Sequence, residues 1–309
     1  MTTLLLSHPA FIGHETTPGH PERAERMQAV AQALGTDEFK DLKRAEPPLA
    51  ALEDIALVHP EAYIEAIQAA VPEGDDIAHL DSDTSLSAGS WEAALRGVGA
   101  ATHAIDQVMA GDVTNAFCAV RPPGHHAETN RAMGFCLFSN AAIAAHYTRK
   151  HHGAERIAVV DFDVHHGNGT QQIFWSDQDL FYGSTHQMPL FPGTGDMSET
   201  GEGNIFNAPM QSGDGRVKFR SAMDDVILPG LEAFSPDILI ISAGFDAHIR
   251  DPLGGLELEA EDFGWATTKL MEISYKSAGT RVISMLEGGY DLEGLALSTA
   301  AHVKALMAH

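Results

Sequence analysis

Ile157-Ala158-Val159-Val160-Asp161-Phe162-Asp163-Val164-His165-His166-Gly167 is an apolar run that ends in two carboxylates and two imidazoles. A short continuous apolar run of β-branched type reads as a strand buried on both faces of a sheet. In an open α/β sheet the crevice beyond the carboxyl ends of the strands is where ligands bind, so metal-ligand side chains crowded there point to a metal.

Outward from this stretch the same pattern recurs. A helix predicted over 139–152 and stopped by Gly153 leads into it, and a short helix over 168–175 follows. A long alanine-rich helix over 87–110, closed by Gly111, precedes a strand over 115–120 that ends in Arg121-Pro122-Pro123-Gly124-His125-His126. A helix over 217–234 precedes a strand over 237–241 and the loop carrying Asp246. A helix over 259–278 precedes a strand over 281–286 that ends in Glu287-Gly288-Gly289-Tyr290, before a closing helix. Further strands are expected over 3–7 and 180–183, with helices over 20–34 and 60–70. The acidic segment 72–86 and the Gly/Pro-punctuated stretch through Phe191-Pro192-Gly193-Thr194-Gly195-Asp196 read as loops. Strands alternating with helices of ten or more residues predict a three-layer α/β/α fold with a mostly parallel sheet. With no internal repeat or linker, residues 1–309 read as one domain.

Composition narrows the function. A formal net charge of -24 disfavours nucleic acid and anionic membrane as partners; it favours cationic ligands, although a solvated acidic surface is its commoner meaning. The two cysteines, Cys118 and Cys136, form no CxxC pair, which rules out a cysteine-built zinc site and fits a reducing compartment. The start, Met1-Thr2-Thr3-Leu4-Leu5-Leu6, lacks the basic residues and apolar length of a signal peptide, so a cytoplasmic protein is expected.

Four strands are thus expected to end in polar residues: His125 and His126, the Asp161 to His166 set, Asp246, and Tyr290. Asp163 and His165, two apart in extended chain, point to the same side and can hold one ion, with Asp246 as a third ligand from a neighbouring loop. Two carboxylates and one imidazole make a neutral ligand set for a divalent ion and leave a position open, the layout of a catalytic site. A lone Asp or His is more often a surface or capping residue; it is the recurrence at strand after strand that carries the reading. The tandem His125-His126 offers a base near neutral pH, Tyr290 a donor to an oxyanion, and Phe135 and Phe191 walls for an alkyl chain.

These motifs resemble the zinc-dependent histone deacetylase and acetylpolyamine amidohydrolase superfamily, with its arginase-like α/β fold. HPERAER from His20, RPPGHHAE, GFCLFSN, DFDVHHGNGT, FPGTGD, AGFDAH and EGGY occur in the family's order over nearly the whole chain, closest to class II deacetylases and their bacterial relatives. The resemblance implies zinc on Asp163, His165 and Asp246, with ferrous iron as the alternative ion. It implies His126 as general base, His125 as its electrostatic partner and proton donor to the leaving amine, Tyr290 as the residue that polarises the carbonyl, and Asp161 and Asn168 as the partners of His125 and His126. Asn168 stands where some members have an aspartate, which would leave His126 less basic.

It further implies a structural potassium at Asp161, Asp163, His165 and Ser184. Gly134, Phe135, Phe191 and Leu253 would line the substrate tunnel, Ser82 would accept the substrate amide hydrogen, and Arg26 would lie near an acetate-release channel. Leu253 stands where polyamine-specialised members carry a glutamate, which leans the substrate toward an acetylated lysine peptide or protein. The alternatives are a small acetylated amine as substrate, a non-catalytic acyl-lysine binding module, and a binuclear manganese ureohydrolase; a homo-oligomer is left open.

Overall fold

The structure, a computed structural model, describes residues 2–309. Its strands in chain order are β1 (Thr3–Leu6), β2 (Lys43–Ala45), β3 (Ala78–His79), β4 (Ser85–Leu86), β5 (Asn115–Cys118), β6 (Ile157–Asp161), β7 (Leu180–Gln187), β8 (Ile205–Met210), β9 (Ile238–Ala243) and β10 (Val282–Leu286). Its α-helices are α1 (Glu25–Ala33), α2 (Leu52–Ile55), α3 (Glu61–Ala69), α4 (Ser90–Met109), α5 (Asn140–His152), α6 (Asn168–Phe174), α7 (Arg216–Ala222), α8 (Leu228–Phe234), α9 (Ala260–Ser277) and α10 (Leu292–Ala308).

Eight strands form one sheet in the order β2-β1-β5-β10-β9-β6-β7-β8, and every pair in it is parallel. Strands β5, β6, β9 and β10 are buried throughout, as the apolar runs require of a sheet covered on both faces. The four strands expected to carry the polar ends are neighbours in the centre of this sheet. Residues far apart in sequence therefore meet over one edge.

Besides the short strands β2, β3 and β4 and the short helix α2, none of which the sequence reading anticipated, three elements differ from the expectation. Helix α1 begins at Glu25, not at His20, because Glu22 is drawn inside to pair with two arginines and does not cap a helix. The segment expected as one helix over 217–234 is α7, a π-helical turn at Met223–Ile227, and α8; Pro229, at the start of α8, lacks the N–H that an unbroken ladder would need. The third is edge strand β8, within a stretch read as loop: Pro209 lies within it, which an edge position tolerates. Among the described residues no helix is long and apolar enough to cross a membrane.

Candidate active site

Beyond the end of β6 the chain places Asp163 and His165 beside Asp246, which follows β9. One ligand atom from each lies within 4.8 Å of the others, and all three residues are buried. His165 Nδ1 is 3.1 Å from Asp163 Oδ1 and 3.0 Å from Asp246 Oδ2. The remaining carboxylate oxygens are tethered by backbone: Val164 N–H donates to Asp246 Oδ1 and Gly288 N–H to Asp163 Oδ2, both at 2.8 Å. A Cβ at Gly288 would fall 2.3 Å from Asp246 Oδ2 and 2.6 Å from Asp163 Oδ2, so only glycine leaves this space open.

The electrostatics are those of a cation site. Burial and the neighbouring Asp163 push the Asp246 carboxyl up to about 7. Burial works against the charged His165 ring, yet its hydrogen bonds with the two carboxylates raise it to about 10. Two buried carboxylates facing one ring nitrogen must share a positive charge. An oxygen–oxygen–nitrogen set with glycine-made space beside it fits a divalent transition ion.

His125 and His126, in the loop after β5, stand side by side with ring centroids 4.0 Å apart and opposite surroundings. His125 Nδ1 donates to Asp161 Oδ2 at 2.9 Å, a carboxylate that also accepts the Tyr182 hydroxyl at 3.1 Å. Burial opposes its charge, but Asp161 and Asp163 raise its pKa well above the ordinary value. His126 Nδ1 donates to Asn168 Oδ1 at 2.9 Å, and burial together with His125 and His165 holds it well below the ordinary value. Adjacent imidazoles driven in opposite directions can serve as a proton acceptor and a proton donor.

Tyr290, after β10, completes this end. Asp251 Oδ2 accepts its backbone N–H at 2.6 Å, and the Arg26 guanidinium carbon lies 5.0 Å from its ring centroid. Burial raises its pKa well above the ordinary value, so the phenol keeps its proton and is a donor.

A cavity of about 250 Å³ ends on His126, His165 and Tyr290 and is walled by Gly134, Phe135, Leu190, Phe191, Leu253 and Asp83. Phe191 meets the His126 ring edge-on at 5.0 Å and Phe135 meets Tyr290 edge-on at 5.8 Å. Gly134 has φ +57°, and a Cβ there would strike the His126 ring at 2.5 Å. A larger groove of about 560 Å³ shares Tyr290 but is lined mainly by residues 15–25 and touches neither the histidines nor the ligand carboxylates.

The structure thus brings together His125, His126, Asp161, Asn168, Asp163, His165, Asp246, Tyr290, Gly134, Phe135, Phe191 and Leu253. Ser82 is exposed and does not line the cavity; its neighbour Asp83 does. Ser184 is buried opposite Asp161 in the β6–β7 register, with its hydroxyl 2.9 Å from His186 Nδ1. Arg26 is fully buried, donating to Gly289 O, Glu22 Oε1 and Glu287 O at 2.6, 2.9 and 2.5 Å. His166 faces away from the ligands toward Thr194 and Gln171, at 2.7 and 2.9 Å, and so ties down the loop that bears Phe191.

Several supports escaped the sequence reading. Glu287 Oε2 accepts the backbone N–H groups of Gly124 and His125 at 2.7 and 3.2 Å, fixing the tandem-histidine loop. Asp251 holds Tyr290, and Glu22 bridges Arg121 and Arg26. The one available signal was that Glu22 and Arg26 are four apart, which more often marks an exposed helical pair.

Residues 20–306 match the histone deacetylase domain. The chain is 38% identical over 315 residues to a probable deacetylase of Archaeoglobus fulgidus, covering 100% of this chain and 87% of that protein. It is 38% identical over 287 residues to a histone deacetylase-like amidohydrolase of Pseudomonas aeruginosa, covering 91% and 74%. Among solved structures, the HDA15 HD domain superposes with a TM-score of 0.94 at 34% identity, covering 99% of this chain and 90% of that one.

Proposed function

Because the chain belongs to the histone deacetylase family and is a hydrolytic deacetylase, we propose that it cleaves N-acetyl-lysine-type amides to acetate and free amine. The observation that carries this reading is the cavity of about 250 Å³, apolar along its walls and ending on His126, His165 and Tyr290. An unbranched alkyl chain fits such walls, and its amide would meet the three polar groups at the bottom.

Asp163, His165 and Asp246 would hold a zinc ion, and ferrous iron suits the same donors. When bound, the ion supplies Lewis acidity at the amide carbonyl. His126, with Nδ1 engaged by Asn168, presents Nε2 as the base that takes a proton from the attacking water. The water oxygen bonds to the acyl carbon, and Tyr290 donates to the carbonyl oxygen as negative charge develops there. His125, kept protonated by Asp161, hands its proton to the nitrogen as the carbon–nitrogen bond breaks. Gly134 would accept the substrate amide hydrogen at its carbonyl, and Leu253 would form the rim.

In the same proposal Asp161 and Ser184, with the backbone around Asp163 and His165, would hold a structural potassium. Acetate departs on the Arg26 side of Tyr290, where a buried guanidinium abuts the ring. The two cysteines are free and buried, which suits a cytoplasmic location.

An activity panel of acyl-lysine peptides and acetylpolyamines, with a chelator control, tests the reading. Turnover of acyl-lysine substrates that is lost with chelator is the expected result; turnover confined to other amides would overturn the substrate assignment.

A further inference from the structure

Glu287, the residue after β10, carries a buried carboxylate that the proposed reaction does not use. All of its hydrogen-bond partners are neutral. Oε2 accepts the backbone N–H groups of Gly124 and His125 at 2.7 and 3.2 Å, and Oε1 accepts the Ser242 hydroxyl at 3.1 Å. An ionisable group kept out of water on neutral partners is costly, and burial pushes this carboxyl up to about 7. An apolar side chain would fill the same space without that cost. What the carboxylate contributes therefore lies in the loop it holds.

That loop is held at defined points. His125 is gripped by three elements: its N–H by Glu287, its carbonyl oxygen by the Gly169 and Thr170 N–H groups of α6 at 3.0 and 3.2 Å, and its ring by Asp161 of β6. His126 follows at once, and its ring bonds Asn168, also of α6. Two carboxylates connect His125 to the ion ligands. Asp161 takes the ring, two residues before Asp163. Glu287 takes the backbone, one residue before Gly288, whose N–H donates to Asp163 Oδ2 at 2.8 Å. The Glu287 N–H in turn donates to Ala243 O at 3.0 Å, which sets this residue against β9, the strand that leads to Asp246.

We propose that Glu287 is a positioning residue for the deacetylase reaction: through the backbone of Gly124 and His125 it sets the spacing between the histidine pair and the Asp163 carboxylate. This rests on the deacetylase reading of the site. Glu287 touches neither substrate nor ion, and its operative property is reach. Aspartate, one methylene shorter, keeps the charge but falls short of the two N–H groups. Glutamine keeps the reach without the charge: its carbonyl oxygen accepts both N–H groups, and its amide nitrogen donates to the Ser242 hydroxyl, which can accept as well as donate.

The test compares wild type, Glu287→Gln and Glu287→Asp, each as the full chain loaded with zinc. Acetate release from an acetyl-lysine peptide and from N-acetylputrescine is measured beside bound metal, thermal stability, and hydrogen exchange at the Gly124 and His125 amides. Glu287→Asp is expected to lose roughly 10²-fold in kcat, the effect of a misplacement of about 1 Å, with KM and bound metal little changed. Its two loop amides should exchange faster. Glu287→Gln is expected to stay within about tenfold of wild type in kcat, a neutral acceptor being weaker than a charged one, and to keep the slow exchange. Wild-type kcat in Glu287→Asp would overturn the proposal. So would a Glu287→Asp enzyme more active than Glu287→Gln, because charge and not reach would then be the operative property. A loss in Glu287→Asp that only follows lost metal or unfolding would leave the residue a structural part and overturn it too. A wild type that releases no acetate from either substrate would instead remove the underlying deacetylase reading, and the exchange contrast would still decide whether the carboxylate holds the loop.

Discussion

His126 Nδ1 donates to the carboxamide oxygen of Asn168 at 2.9 Å, and the orientation of that carboxamide is fixed because its nitrogen donates to Glu128 Oε1 at 2.8 Å. The ring hydrogen is therefore on Nδ1 and the lone pair on Nε2. His125, at the same 2.9 Å, has a carboxylate partner. One atom of difference between Asn168 and Asp161 makes one imidazole the acceptor and the other the donor. Asn168→Asp is expected to raise the basicity of His126 and move the acid limb of the kcat/KM profile up by about one pH unit. Activity would then fall first at low pH, where the stronger base stays protonated. A pH–rate profile superimposable on wild type would mean that the Asn168 contact does not set this base.

The Tyr290 ring is held by Phe135 on one side and Arg26 nearby, so Tyr290→Phe should keep its place and lose only the hydroxyl. Loss of one oxyanion donor is expected to cost about 2.7 to 4 kcal/mol of barrier, seen as roughly a 10² to 10³ drop in kcat. KM and bound metal should change little. Steady-state kinetics beside metal analysis check this, and wild-type turnover in the variant would exclude the role.

The ligand set was legible because Asp163, Asp246, His126 and Tyr290 each follow a strongly apolar strand; Asp163 and His165 meet not through extended chain but in a bend past β6, where the His165 N–H donates to Asp163 Oδ1 at 2.9 Å. That these strands are adjacent is a tertiary fact; the order β5-β10-β9-β6 appears in no local pattern. Strand β8 was hidden by its proline and by the glycine-rich approach to it. Ser82 is exposed and its neighbour Asp83 lines the cavity, because the chain bends at 81–83 where Asp81 Oδ1 accepts the N–H groups of Asp83 and Thr84, a turn that no periodicity announces. Glu22 reaches Arg121 across 99 positions of sequence, a pairing that no spacing rule reveals.

Removal of metal gives a third expectation. Chelation should abolish acetate release, and zinc or ferrous ion should restore it. In the ion-free protein His165 is raised to about 10 and Asp246 to about 7, so ion binding must displace a proton from the imidazole throughout the neutral range and a second one from the carboxyl as the pH falls below neutral. Affinity is expected to weaken from pH 8 to pH 6, with proton release measurable by titration calorimetry in buffers of different ionisation enthalpy. Thermal stability should rise with added zinc, by about 4 kcal/mol at a free concentration a thousandfold above Kd, and Asp246→Ala should lose that rise. A zinc-induced shift that survives in Asp246→Ala would place the ion elsewhere.

Glu22 is the keystone of a buried cluster behind the site. It accepts from Arg121 Nε and Nη2 at 2.5 and 2.7 Å and from Arg26 Nη1 at 2.9 Å, and all three side chains are fully buried. Burial alone would raise its pKa, yet Arg121 and His14 hold it well below the ordinary carboxylate value. A carboxyl depressed in the folded state contributes stability that is complete above its unfolded pKa, about 4.3, and is lost as pH falls toward the folded value. Glu22→Gln should therefore show a flatter loss of stability below about pH 4.3 than the wild type. At neutral pH its stability should fall by about 3 to 5 kcal/mol, because Arg26 and Arg121 would be left as unpaired buried cations. Urea denaturation at pH 7 and through the acid range measures both effects. Since Arg26 also binds the carbonyls of Glu287 and Gly289 on either side of the Gly288 that abuts the ligand carboxylates, the variant should lose zinc affinity along with stability. A variant that keeps wild-type stability and metal affinity at pH 7 would show that the cluster is dispensable to the site it underlies.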